Sequence, residues 1–477
     1  MLQNKDINKI SELKTSFTHS WVEADFIFKI LKVFSFSGLN KKLSFFKSKG
    51  YSFEWVMSIL ISMPFMGIST VHKLSGLVQA KKDVFYRLKN NSSINWRFIL
   101  WLFAGRFQKI TSAEQRDEDC VKCLIFDDTT LEKTGRFIEK VSYVWDHVQN
   151  RCILGFKLLL MGYWDGVSFI PLDFSLHREK GKNQKRPFGF KPRHLRKQCS
   201  KTRRQGTHAY DRARETDETK IAIMLKMLKR AVSHHFKIDY VLVDSWFTCQ
   251  QLIEAVLKIK SQKVHLIGMY KNARALFGYR GKQLTYSQIR NRLGKPKRCR
   301  KLKLYYHQVQ VEYQGHTLQL FFSRHGKNGK WKVLLSTDTS ISFIRMIEIY
   351  QTRWTIEVFF KETKQLLGLG RCQSNDFDAH IADLSITMIQ YMLLTLRFRY
   401  DKYETKGLLF EQIQSQIINH KLNERLWGLF IELLQLVCDL FDDIDFVALY
   451  EKVIRDDQAR EKLNVIFRDD YKLTDAA

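Results

Sequence analysis

The sequence predicts an α/β protein with a mixed central sheet, and three observations carry that reading. A short apolar run, Val121 to Phe126, ends in Asp127, Asp128 and Thr129, the pattern of a buried strand that delivers polar side chains at its tip. Two more apolar runs, Cys152 to Tyr163 and Val167 to Phe174, flank Trp164, Asp165 and Gly166, where the Asp-Gly pair suits a tight hairpin. After these antiparallel-looking strands, helix and strand patterns alternate, as in an α/β layer.

Taken in order, residues 1–115 read as a helical N-terminal region, with amphipathic stretches at Trp21 to Val33, Phe53 to Ile61 and Trp96 to Phe107. The α/β pattern then occupies residues 116–268: the three strands, a helix from Glu215 to His235, the strand Tyr240 to Val243 ending at Asp244, a helix from Thr248 to Lys260 and the strand Val264 to Gly268. Helical periodicity vanishes next. Strand-like runs at Lys301 to Gln310, Gln319 to Phe322 and Lys332 to Leu335 predict a β-rich insertion over residues 269–340. A long helix from about Ser342 to Leu367 and another from Ala379 to Arg399 complete the layer over residues 341–400, and residues 401–477 are helical again.

The chain of 477 residues carries 79 Lys and Arg against 49 Asp and Glu, a formal charge of +30, which is far more than solubility requires. A polyanionic partner explains such a surplus. Membrane lipid is the weakest candidate: the most apolar run, Val56 to Val71, is broken by Ser58, Ser62, Pro64 and Gly67 and falls short of the roughly 20 residues that span a bilayer. The first residues lack the apolar stretch of a secretory signal, so a cytoplasmic location is expected. Of eight cysteines only Cys120 and Cys123 stand close together, and with no second pair they read as reduced thiols rather than a zinc site. Nucleic acid is the partner that remains.

The helix over residues 342–367 is the most informative element. Tyr350, Arg353, Glu357 and Lys364 lie at offsets of 0, 3, 7 and 14, which at about 100° per residue form one polar stripe, while Ile349, Ile356, Phe359, Phe360 and Leu366 take the other faces. Arg353 and Glu357, four apart, would also suit an ordinary ion pair on a helix surface. Phosphodiester cleavage by two metals needs carboxylates able to bridge hard cations about 4 Å apart, with cationic or hydroxyl groups nearby for the phosphates. Two strand-end aspartates and this helix supply that set.

The spacing of Tyr350, Arg353, Glu357 and Lys364 resembles the signature of a large group of bacterial insertion-sequence transposases of the DDE class, which share an RNase H-like catalytic fold. The run from Leu124 to Leu131 resembles the block around that group's first Asp, and Tyr240 to Trp246 the block around its second, so the likeness spans about half of the chain. The resemblance implies an RNase H-like core with a β insertion, in which Asp127, Asp244 and Glu357 hold two Mg2+ ions, with Mn2+ as a substitute. Asp128 is the alternate for Asp127, since neighbours on a strand point to opposite faces; Asp127 keeps the family spacing to Leu131. By the same likeness Tyr350, Arg353 and Lys364 contact DNA phosphates, and Trp331 stacks on a flipped base, unless it is simply a core tryptophan. The implied reaction is cut-and-paste transposition on double-stranded DNA at terminal inverted repeats. It proceeds by nicking, hairpin formation and joining to target DNA, within a synaptic homodimer at the nucleoid. Residues 1–115 would help recognise the ends and the C-terminal helices would serve dimerisation.

A basic segment between Lys180 and Arg214 includes Lys185, Arg186, Arg193, Arg196, Lys197, Arg203 and Arg204 and is expected to track phosphates. Histidines such as His177 are not needed as bases, because a metal-bound water is acid enough. Two rivals stand beside transposition: a structure-specific nuclease on the same fold without strand transfer, and an inactive DNA-binding relative.

Overall fold

A computed structural model describes residues 50–74, 80–112, 120–400, 403–415 and 445–458. The amphipathic stretch expected at Trp21 to Val33, and most of the helical tail beyond residue 415, lie outside the described residues.

One sheet organises the chain. Strand β1 (Cys123–Glu132) is its centre, paired antiparallel along its whole length with β3 (Arg151–Trp164) and parallel, over Cys123 to Phe126 only, with β5 (Tyr240–Val243). Its first four residues are fully buried, as a run apolar on both faces requires. β2 (Ser142–Asp146) and β4 (Phe169–His177) both line the outer edge of the long β3, one at each end, and β6 (His265–Met269) pairs parallel with β5. The expected hairpin joins β3 to β4. Asp165 Oδ1 accepts from the backbone N–H groups of Val167 and Ser168, and Gly166 has a φ of 104°, where a Cβ would lie 2.7 Å from Cys120.

The β-rich insertion continues this sheet rather than forming a second layer. β7 (Leu276–Tyr279), β8 (Lys282–Thr285), β9 (Lys297–Cys299), β10 (Leu304–Tyr313) and β11 (His316–His325) extend it, and β12 (Lys332–Ser336) returns to pair antiparallel with β6. Four-residue strands such as β7 and the edge strand β8 are too short to show a period, and they were not expected from the sequence.

Helices cover both faces. Besides the single turn Val71–Leu74, the described helices α1 (Phe53–Ser62), α2 (Lys82–Lys89) and α3 (Trp96–Ser112) come before the sheet. One helix was expected from Glu215 to His235, but the chain forms α4 (His208–Glu215) and α5 (Lys220–Ser233), because the Thr219 side chain caps a new start. α6 (Gln250–Leu257) follows β5, and α7 (Tyr286–Arg292) is opened by a reciprocal Thr285 and Gln288 capping box, a readable signal that the strand-only expectation passed over.

The long helix expected at 342–367 is also divided. α8 (Phe343–Gln351) and α9 (Trp354–Glu362) meet in a tight turn where Thr352, Arg353, Thr355 and Ile356 donate to carbonyls three residues back; Thr352 Oγ1 also donates to the Ile349 carbonyl. A π turn, Thr363–Leu367, then ends at Gly368 in the left-handed region. Leu366 is only half-buried, and Leu367 takes the core position instead.

α10 (Phe377–Tyr400) is apolar and long enough to cross a membrane, yet its apolar window is 94% buried inside the protein. It packs against α1, α2, α3 and β4, so it is the spine of the core. α11 (Phe446–Arg455) is the last described element.

Candidate active site

The register of the central strands brings the two aspartates together. β1 and β5 run parallel with Phe126 opposite Val243, and one step beyond that last pair stand Asp127 and Asp244 on strands about 4.8 Å apart. Asp127 lies within β1 rather than at its tip, since the pairing with β3 continues to Glu132 while β5 stops. The early end of β5 uncovers one edge of β1 there.

Alternation separates the neighbouring carboxylates. Asp127 Oδ2 accepts from Arg353 Nη1 at 3.1 Å, at the start of α9, and its Oδ1 accepts from the Asp128 backbone N–H. Asp128 faces the other way, toward α5, where the Lys220 ammonium bonds it. Burial pushes the Asp127 carboxyl up to about 7, against the pull of the Asp128 N–H and Arg353; Asp128 and Asp244 add to the rise.

Arg353 is the hub. Its Nη2 donates to Glu357 Oε1 at 2.5 Å, so a single guanidinium joins the strand carboxylate to the helix carboxylate. The i,i+4 pair expected from the sequence exists, but half of the fork is spent on a strand. Tyr350 donates its hydroxyl to the Val243 carbonyl at 3.2 Å, directly before Asp244. Burial pushes that phenol up to about 12, with Asp244 and Asp127 adding to the effect against Arg353. Lys364, carried by the π turn, donates to Thr129 Oγ1 at 2.8 Å, and burial pulls its ammonium below the ordinary value. All four members of the stripe therefore meet the second half of β1 or the end of β5, directly or through Arg353.

Trp331 precedes β12, which runs antiparallel to β6, with Leu334 opposite Met269. It belongs to the same end of the sheet as Asp244, two strands across and three residues further along the strand direction. Its ring is half-buried, with the Arg324 guanidinium 4.5 Å above it and His307 beside it.

In the basic segment Lys185, Arg186, Arg193, Arg196, Lys197 and Arg204 are exposed. Arg203 is a correction to the sequence reading. Its side chain is 4% exposed and its fork is filled by Glu139 at 2.7 Å and Asp378 at 3.0 Å, so it ties the loop to α10 and has no donor to offer a phosphate. His177 is likewise internal, bonded to Ser175 Oγ and the Glu218 carbonyl, and burial pulls it down to about 4.

Sequence reasoning missed three residues. Lys220 lies 92 positions from Asp128 with no pattern linking them. Trp246 and Trp354 are 71% and 62% exposed, and adjacency was the available signal: one follows Asp244 by two residues, the other follows Arg353 directly.

Hard carboxylate oxygens suit a hard divalent cation, and the register sets two of them, Asp127 and Asp244, side by side where β5 stops, so the residues fit such an ion. Among the described residues no three acidic, imidazole or thiol groups stand close enough to hold an ion, and Glu357 is paired with Arg353, a partner it would have to exchange to join the two aspartates.

A mixed sheet with β3 antiparallel and β1, β5 and β6 parallel, covered by helices on both faces, defines an α/β protein with an RNase H-like core. The family described as "Transposase DDE domain" matches residues 123–393, more than half of the chain, and the protein belongs to that family of insertion-sequence transposases. No match was found among curated proteins. Members of the family act on DNA and generally use divalent metal ions.

Proposed function

We propose that this transposase moves its insertion sequence by cutting and pasting, with Asp127, Asp244 and Glu357 as the residues that would hold two Mg2+ ions, or Mn2+ in their place. The observation that carries the reading is the register that sets Asp127 beside Asp244, with Arg353 joining Asp127 to Glu357. When bound, the ions would supply Lewis acidity at phosphorus and lower the pKa of water.

The chain's own groups do the positioning. Arg353 would move from the carboxylates to a phosphate oxygen once cations neutralise Asp127 and Glu357, since a guanidinium fork matches either partner. Lys364 would place a second positive charge beside it, and Tyr350 fixes the backbone that carries Asp244. Lys220 keeps Asp128 turned away, which favours Asp127 as the ligand. Each step is an in-line displacement in which an oxygen of water or of a 3′-OH attacks phosphorus and a 3′-oxygen leaves, taking up a proton as the nucleophile loses one: nicking by water, hairpin closure by the freed 3′-OH, reopening by water, and joining to target DNA. Trp246 and Trp354, both exposed, would offer ring faces for bases unstacked at the hairpin, and the half-buried Trp331 would stack through the face that Arg324 leaves open. The exposed cations Lys185, Arg186, Arg193, Arg196, Lys197 and Arg204 would follow the flanking backbone. Two copies would pair the element ends, and the division at residues 115, 268, 340 and 400 is the proposed domain plan.

Asp244→Asn tests the site on labelled element ends with a target plasmid. Cleavage should vanish while DNA binding persists or strengthens, and undiminished cleavage would reject the site. Hydrolysis by the unaltered protein without joined product would instead favour a nuclease that lacks strand transfer.

A further inference from the structure

Strand alternation puts Thr129, Leu131 and Lys133 on the same face of β1 as Asp127. Lys133 stands directly behind the last residue of β1, and its backbone N–H still donates across the sheet to the Leu154 carbonyl at 2.8 Å. It is in line with Asp127 and six residues beyond it, so it touches no reacting atom.

Lys133 is a cation in an unusual setting. It is only 4% exposed, and among the described residues it forms no ion pair. Its Nζ donates instead to two backbone carbonyls, Gly370 at 2.6 Å and Cys372 at 2.7 Å. Asp383, which lines the same small void, is bonded to Lys89 at 2.5 Å. Taking an ammonium out of water without a carboxylate partner is costly, and an apolar side chain would fill the space more cheaply. The two carbonyls show what the charge is for: it fixes the loop that leaves the π turn.

The same loop is tied to the chain after β1 by further bonds. Thr134 donates from its backbone N–H and its hydroxyl to Gln373 Oε1, both at 3.2 Å, and the Glu139 N–H donates to the Asn375 carbonyl at 3.0 Å. Gly370, with a φ of 84°, lies so near β1 that a Cβ would stand 3.0 Å from Leu131. On its other side the loop is bonded to the turn that carries Lys364. The Leu369 N–H donates to the Thr363 carbonyl, and the Arg371 N–H to the Gly368 carbonyl, each at 3.0 Å.

Two lysines therefore cross in opposite directions. Lys364 reaches from the π turn to β1, on Thr129 Oγ1 at 2.8 Å and the Thr130 carbonyl at 3.4 Å, while Lys133 reaches from β1 to the loop behind that turn. One ammonium cannot both hold the turn on β1 and move to a phosphate. If Lys364 exchanges Thr129 for a phosphate oxygen, its bonds to β1 are lost and those of Lys133 remain.

We propose that Lys133 is a positioning residue for strand cleavage and joining: it keeps the π turn docked on β1, so that Lys364 is free to leave Thr129 for a phosphate of the DNA. This inference rests on Lys364 being a phosphate contact, as proposed for the active site.

The test is a double-mutant cycle in the full-length protein. It reads the single-turnover rate of end nicking at saturating protein, well below the melting temperature, together with duplex affinity. Lys133→Met, similar in length but unable to donate, should slow nicking roughly 10–100-fold, as expected for a group displaced by about 1 Å. Duplex affinity should change less than about threefold, because exposed cations elsewhere supply most of it. In a Lys364→Ala background Lys133→Met should slow nicking no further. Gln373→Ala, at an exposed residue of the same loop, keeps the test valid if Lys133→Met does not fold. It should slow nicking by a smaller factor, again only while Lys364 is present. A lysine that merely stabilises the fold, which overturns the proposal, would lower Tm and leave nicking by the folded protein unchanged, or slow it equally with and without Lys364. An unaltered rate in Lys364→Ala alone would instead remove the phosphate role of Lys364, and this proposal with it.

Discussion

Asp173→Asn should cost this protein about 2–3 kcal/mol of stability at pH 7.5, although the residue is 0% exposed. Burial works to raise that carboxyl, but Arg97, Arg230 and Arg212 hold it down from 3.8 to about 2. At about 1.36 kcal/mol per tenfold, that difference is on the order of 2–3 kcal/mol favouring the ionised form in the folded protein. Because the folded pKa is depressed, the contribution is complete well above pH 4 and is lost as pH falls through the folded value. By pH 3 about 1 kcal/mol of it should already be gone. Asparagine preserves shape and removes the charge, leaving three arginines around one remaining acid, so the upper bound approaches the ~3–5 kcal/mol of a broken buried pair. Urea unfolding of both proteins followed by circular dichroism, at pH 7.5 and again toward pH 3, measures the difference. A loss under about 0.5 kcal/mol at pH 7.5, or an equal loss at both pH values, would refute the role given to charge.

Other expectations follow from single interactions. Asp128→Asn should leave most single-turnover cleavage intact while Asp127→Asn abolishes it, since Asp128 faces Lys220; equal losses would show that the two acids share one role. Tyr350→Phe removes the bond to the Val243 carbonyl and should lower unfolding free energy by about 1 kcal/mol in urea titrations. Replacing Lys185, Arg186, Arg193 and Arg196 together by glutamine should flatten the salt dependence of duplex binding by about 0.9 in log–log slope for each phosphate left without its cation. Arg203→Gln should leave that slope unchanged and instead lower the melting temperature, because its bonds run to Glu139 and Asp378.

Much of the catalytic layer could be read along the chain, because its signals are local. β5 was expected where it is found, Val121 to Phe126 announced the start of β1, and the Asp-Gly pair marked the hairpin. The division of the signature helix was harder to see: the shift to bonds three residues back at Thr352 and Arg353 breaks no hydrophobic period. Arg203 looked like its neighbours for a related reason. A basic run reads as solvent-facing until a partner from another element fills one of its members, and Asp378 lies 175 residues away.

The sequence by itself determined which residues carry charge and which chemistry three separated acids and a basic stripe could perform, since composition and spacing are properties of the chain. Only the tertiary structure decided which acids meet. Strand alternation turns Asp127 to α9 and Asp128 to α5, the early end of β5 exposes the edge between Asp127 and Asp244, and Arg353 joins two elements. It also decided that three arginines share two acids behind the sheet, an imbalance that no stretch of sequence displays because its members come from α3, α4, α5 and β4. The physical reason is common to both: electrostatic partnership depends on distance through space and on desolvation, and neither is fixed until the sheet has closed.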